Sequence, residues 1–267
     1  MPQSCWKYIS FSIFLLFSIV ACQPVGSTRQ ALDEMVPVPA GRFPMGANLP
    51  QPGDESPQHL VTLPAFWIDR YEVSNAHYRK CVEAGACNEP QDLRFYQDVR
   101  YANHPVAFVT WYQADTYCRW LDERLPAESE WEKAARGTQG WDYPWGNGLL
   151  PEKLNAGLRF TGMLPVGSFP EGASPYGALD MAGNVWEWTA DWYMPYPGSH
   201  YRSDLFGEKY KVVRGGSWNH PIDDARSYHR DIASPTRALA VVGFRCVAAL
   251  RQNYLVQPGG WLQSRNR

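Results

Sequence analysis

The chain has 267 residues, 45% of them hydrophobic, with 25 basic side chains against 27 acidic ones and a formal charge of −2, a globular composition. A near-neutral balance with no basic run lacks the electrostatic footprint needed to neutralise phosphates, so nucleic-acid binding is excluded. The aromatic load (Trp 12, Tyr 15, Phe 11) can fill a core or line a groove, and composition does not choose between them.

The N-terminus reads as an address. Lys7 is followed by ISFSIFLLFSIV, an apolar run of 12 residues that is too short to span a bilayer and matches the apolar core of a secretory signal. Residues 1–21 are therefore expected to be removed. Ile19-Val20-Ala21-Cys22 resembles a bacterial lipobox, which makes Cys22 the lipidated N-terminus; acyl chains of the palmitate type would anchor the protein to the membrane without a spanning helix. Gln23 stands where a retention aspartate would otherwise be, which points to the outer membrane of a bacterial envelope, facing either the periplasm or the exterior. Residues 22–34 then form a lipidated start and polar tether, 35–250 one domain with no linker or repeat to divide it, and 251–267 a poorly patterned tail.

Export favours oxidised thiols. Cys81, Cys87, Cys118 and Cys246 allow three pairings. Cys81 and Cys87 enclose five residues with Gly85 to turn the chain, a natural local staple, which leaves Cys118 and Cys246 to each other or as buried thiols.

VPVPAGRFPMGA and HLVTLPAFWIDRYEVS read as short strands broken by Pro and Gly. Ser74 or Asn75 caps a helix that Gly85 ends. In VTWYQADTYCRWLDERLP, Trp111, Ala114, Cys118 and Leu121 recur at helical spacing behind a Thr110 cap, putting Cys118 on the buried face. A shorter helix spans about Glu128 to Ala135. From there to about Tyr210 the pattern predicts ordered loops with scattered short strands, and KVVRGG and AVVGFRCVAAL predict buried strands.

RLPAESEWEKAARG, YPWGN, PVGSFPEGASPYGALDMAGNVWEWTADW, VVRGGSW and VGFRCV, in this order, resemble the formylglycine-generating enzyme family, also called sulfatase-modifying factors, over roughly Met35 to Ala249. The resemblance implies an α+β fold, a variant of the C-type lectin fold with little regular secondary structure, and a disulfide between Cys118 and Cys246. It also implies one structural calcium ion held by the side chains of Asp180 and Glu187 and the carbonyls of Gly183 and Val185, a donor set that suits a hard cation. Asn155 matches one ligand of a second calcium site, but LRFTGML lacks the acid expected after it, so no second ion is expected.

The working enzymes of the family hold copper(I) with two cysteines, thiolates being its preferred ligands. In RGGSWNHPIDDARSYHRD the matching positions are His220 and Ala225, so no copper is expected and formylglycine-generating activity is not implied. Some members carry a further disulfide whose positions here are Ala135 and Arg230. His220 and His229 share a loop with Asp223, Asp224 and Asp231, a conceivable metal cluster whose spacing matches no recognised motif. Arg214, Trp218, His220, Arg226, Tyr228 and His229 form a candidate ligand groove for a peptide, glycan or envelope protein. The leading reading is a calcium-stabilised binding or accessory module with no catalytic residues. The alternative is a periplasmic oxidoreductase of altered chemistry, similar to family members that act on the siderophore pyoverdine. A hypervariable ligand-binding protein ranks lowest, because Ala238 to Val241 look like fixed core.

Overall fold

A computed structural model describes residues 35–249 apart from Pro52. The secretory signal, Cys22 with its tether, and the C-terminal tail lie outside the described residues. Among those described, no helix is long and apolar enough to cross a membrane.

Three small sheets are held together by three helices. In the first sheet β4 (Phe66–Asp69) is central, antiparallel to β1 (Met35–Val38) on one edge and to β9 (Val247–Ala249) on the other. The hairpin of β2 (Gly41–Met45) and β3 (His59–Leu63) is the second. The third has the order β7-β6-β5-β8, built from β5 (Trp186–Trp192), β6 (Lys211–Arg214), β7 (Arg230–Ala233) and β8 (Val242–Gly243), with β5 and β8 parallel.

The helices begin and end where local chemistry dictates. Helix α1 (Asn75–Glu83) is capped by Ser74, whose hydroxyl accepts from the His77 N–H, and Gly85 turns away just beyond its end with φ +71°. Helix α2 (Trp111–Trp120) starts with a reciprocal capping box between Thr110 and Gln113. Helix α3 (Glu128–Arg136) has no polar cap side chain at Ala127; instead the Glu130 carboxylate accepts from the Ala127 N–H at 2.8 Å. It stops at Gly137, where φ is +66° and a Cβ would lie 2.9 Å from the Pro175 ring.

Helices α1 and α2 pack on the four-stranded sheet through Tyr78, Tyr117, Trp188 and Phe244, and α3 packs Trp131, Ala134 and Ala135 on the first sheet against Phe66, Ile68 and Val247. Both disulfides are present, Cys81 to Cys87 and Cys118 to Cys246, so the buried-thiol alternative falls. The second closes a separation of 128 residues, for which loss of chain entropy predicts about 5 kcal/mol of stabilisation.

Two expectations are corrected by packing. The stretch from 137 to 210 contains β5, at seven residues the longest strand among those described. Its residues WEWTADW alternate apolar and polar, but Glu187 and Thr189 on the polar face are as buried as Trp186 and Trp188. AVVGFRCVAAL is not one strand but two in different sheets. Between β8 and β9, Phe244 and Cys246 accept from the Val73 and Asp69 N–H groups as the chain crosses over. One apolar run thus serves two layers.

Candidate functional site

Helix α3 is charged yet inside the protein: of its nine residues only Ser129 is not buried. Burying ions is costly unless each is paired. Arg214, fully buried at the end of β6, supplies the pairing, donating to Glu128 at 2.5 Å, to Glu132 at 2.6 Å and to the Ser227 carbonyl at 2.6 Å. Arg230 adds a fork to Glu128 at 2.7 and 3.0 Å, and Arg136 reaches Glu132 at 2.8 Å. Burial alone would raise the Glu128 carboxyl, but the guanidinium groups of Arg230 and Arg214 outweigh it and hold it below its ordinary value.

From Arg214 the chain turns through Gly215 and Gly216, where a Cβ on Gly216 would sit 3.0 Å from the backbone of Ala225. Ser217 then lies fully buried, donating to Asn219 Oδ1 at 2.9 Å while its oxygen meets His220 Nδ1 at 2.6 Å. The hydroxyl proton is used on Asn219, so His220 donates through Nδ1 and presents Nε2 as the open nitrogen. Ala225 packs into a small apolar cluster with Leu154, Ala156 and Ala182. An imidazole and a methyl group thus stand at positions 220 and 225. Every cysteine among the described residues is in a disulfide.

His229 Nδ1 lies 2.5 Å from Glu55 Oε1, and its Nε2 is 3.7 Å from Asp224 Oδ1. Burial would push this imidazole down, but the hydrogen bond and charge of Glu55, with Asp224 behind it, outweigh burial and the repulsion of Arg214, leaving it above its ordinary value. Both histidines pack on Trp186, with ring centroids at 5.5 Å for His220 and 5.9 Å for His229, and the buried Trp186 Nε1 has no hydrogen-bond partner. The remaining acids of the loop are engaged locally, Asp223 with Arg226 at 2.7 Å and Asp231 with the Ile232 N–H at 2.7 Å. Among the described residues, the only three His, Cys, Asp or Glu ligand atoms within 4.8 Å of one another belong to Asp69, Glu123 and Cys246, and that sulfur is in a disulfide. The loop acids and histidines are therefore not gathered into a metal centre.

The six groove residues do not share one surface. Trp218, His220, Arg226 and His229 are half-buried around the loop, whereas Arg214 is interior and Tyr228 is buried with the Arg136 guanidinium 5.5 Å from its ring. Glu55, Glu128 and Glu132 escaped sequence reasoning; Glu55 is 174 residues from His229, and no local pattern marks that pairing.

The segment from Asp180 to Glu187 is a loop leading into β5, with Asp180 at φ +57° and Asn184 at +64°. Glu187 is fully buried. Its Oε1 accepts from Arg245 at 2.6 Å, and its Oε2 accepts from Arg245 at 2.7 Å and from Trp131 Nε1 at 2.8 Å. Asp180 Oδ2 accepts from the Gly167 N–H at 2.6 Å, and burial pushes its carboxyl up to about 6. Sequence reading missed a third buried acid, Glu72, which accepts from Asn184 Nδ2 at 2.8 Å and from the Val185 N–H at 3.2 Å. Burial first, then Asp180 and Glu187, drive the Glu72 carboxyl well above its ordinary range. Arg245 pairs Glu187, while burial favours the neutral forms of Glu72 and Asp180, which a nearby dication would return to carboxylates. Nearby, Asn155 donates to the Gly162 carbonyl and to Asn184, while its buried Oδ1 has no partner. The loop's charge and oxygen donors fit calcium.

Against known proteins, residues 21–250 match the family described as the sulfatase-modifying factor enzyme 1-like domain. A serine/threonine-protein kinase Pkn1 of Chlamydia trachomatis is 37% identical over 80% of this chain, which spans 38% of that relative's length. The formylglycine-generating enzyme of Mus musculus is 32% identical over 84% of this chain and 77% of its own. Among solved structures, PvdO from Pseudomonas aeruginosa superposes with a TM-score of 0.67 at 28% identity, covering 81% of this chain and 94% of that one.

The Glu55–His229 pair has a defined pH signature. A raised imidazole stabilises the fold at pH below its unfolded value of about 6.5, and that contribution is lost as pH rises through the folded value. Glu55→Gln is expected to lower Tm by a few degrees at pH 5.5 and by much less at pH 9, and to bring the His229 titration down in an NMR pH series. An equal Tm penalty at both pH values would show that the charge pair contributes nothing.

Proposed function

The chain belongs to the sulfatase-modifying factor family, with the formylglycine-generating-enzyme type of C-type lectin fold, and from that premise we propose that it is a non-oxidase: a binding or accessory module of the bacterial envelope. One observation carries this reading, the replacement of the thiolate pair by His220 and the buried Ala225. Copper(I) wants two soft donors in line, and a methyl group offers none. Family membership supports the scaffold, and fold alone does not carry chemistry over. The lipobox-like Ile19 to Cys22 supports anchoring through Cys22, and the two disulfides suit an oxidising compartment. Incubation of the full chain with copper(I), oxygen and a CxPxR-type peptide is expected to leave the cysteine unconverted by mass spectrometry; aldehyde formation on that peptide would overturn the proposal.

Calcium is proposed as a structural ion in the loop, held by the side chains of Asp180 and Glu187 and the carbonyls of Gly183 and Val185. The gathering of the buried acids Asp180, Glu187 and Glu72 at that loop supports it. An ion bound only by the folded state at a hundredfold excess over its Kd contributes about 2.7 kcal/mol. For a domain of this size that is roughly 5–10 °C of Tm, which a calcium chelator is expected to remove and added calcium to restore. A melting curve that chelator does not move would remove calcium from the account.

The alternative, an oxidoreductase of altered chemistry, draws its support from the His229–Glu55 pair and the unmet Trp186 N–H beside it. Stoichiometric iron or copper in purified protein, lost in His220→Ala or His229→Ala, would favour it.

A further inference from the structure

A second site lies apart from the His220 loop. Where β5 ends, a cleft of about 350 Å³ opens beside the N-terminus of α3, within the size range of small-ligand pockets. Its walls include Trp192, Asp191, Ser129 and His59, with Met194 and the prolines 195 and 197 on the rim. Met194 is 41% exposed, so the mouth presents an apolar lip to solvent.

The polar groups facing this space are chiefly acceptors. His59 meets the Pro57 carbonyl through Nδ1 at 3.0 Å, so that nitrogen carries the proton and Nε2 is left as an acceptor. Asp191 uses Oδ2 on the Glu128 N–H at 2.5 Å and keeps a second carboxylate oxygen. Ser129, the one α3 residue that is not buried, brings a hydroxyl able to give or accept. A ligand matched to this set is rich in donors and has an apolar face for Trp192.

Cations and polyols are two donor-rich ligand classes, and the charges decide between them. Lys211 Nζ lies 3.9 Å from the Trp192 ring centroid, and the Arg230 guanidinium lies 4.2 Å from that of Tyr196. Each ring thus already holds a cation from the protein itself, and Glu128 is neutralised by Arg214 and Arg230. A cationic ligand would meet the repulsion of Lys211 and Arg230. A neutral polyhydroxylated ring meets none, and it can lay its C–H face on the indole while its hydroxyls donate to Asp191, His59 and Ser129.

Resting on the reading of the domain as a binding module, we propose that this cleft binds a neutral saccharide, with Trp192 as the stacking platform and Asp191, His59 and Ser129 as hydroxyl acceptors. The test uses the full chain in a sugar-free zwitterionic detergent, titrated with methyl glucoside, N-acetylglucosamine, maltotriose and chitotriose, followed by saturation-transfer NMR and tryptophan fluorescence. Lysine methyl ester serves as the cationic probe. Saturable binding of at least one sugar is expected, weakened tenfold or more in Trp192→Ala and severalfold in Asp191→Asn and Ser129→Ala, with no binding of the lysine ester. Because Trp192→Ala also removes one of the two rings beside Lys211, Tm is measured on every variant, and Trp192→Phe keeps a ring if the alanine form does not fold. No saturable sugar binding, binding of the lysine ester alone, or sugar binding that none of the folded variants changes would each overturn the proposal. The peptide-oxidation assay is independent of this titration, so failure here leaves the non-oxidase reading standing.

Discussion

Arg214 is the cation around which the interior of this domain is organised. It stands at the end of β6, fully buried, and bridges two carboxylates on successive turns of α3. Glu128 is also held by Arg230 on β7 and Glu132 by Arg136 of its own helix, so the helix, the four-stranded sheet and the 226–229 loop share one ionic lattice. Removing one member of such a pair leaves an uncompensated buried charge, which typically costs about 3–5 kcal/mol. The lattice therefore fixes the direction in which the chain leaves β6. The loop carrying Ser217, His220 and Ala225 starts from this charged base, with Arg214 also donating to the Ser227 carbonyl.

The path of that loop also follows from local packing. The glycine pair after Arg214 is required by close backbone approach to Ala225, and Ser217 by its buried hydrogen bonds to Asn219 and His220. Neither requirement involves a metal. His220 is tied to Ser217 through Nδ1, and Arg230 is a second guanidinium on Glu128.

Much of the fold was legible because its signals are local. The Ser74 and Thr110 caps, Gly85 and the Cys118 stripe on α2 act within a few residues, and the structure places them where the spacing puts them. What escaped is non-local or buried on every side. β5 alternates apolar and polar residues, but the burial of its polar face, Glu187 and Thr189 included, is set by partners far along the chain. The AVVGFRCVAAL run divides because Cys118 anchors its middle while Val73 and Asp69 draw the backbone between two sheets. The acids Glu55 and Glu72 reach their partners across more than a hundred residues, a distance at which a lone glutamate in a loop carries no pattern. The candidate groove was drawn from residue types in one segment, and burial sorted it: Arg214 and Tyr228 went inward while His220 and His229 stayed near solvent.

On the proposed non-oxidase reading, the loop after β6 lacks the donors that a soft monovalent ion requires. An anaerobic competition titration of the full chain against a chromogenic copper(I) chelator tests this directly. The chelator is expected to keep all the copper, with His220→Ala behaving identically. One equivalent of copper(I) retained by the protein, and released by that substitution, would contradict it.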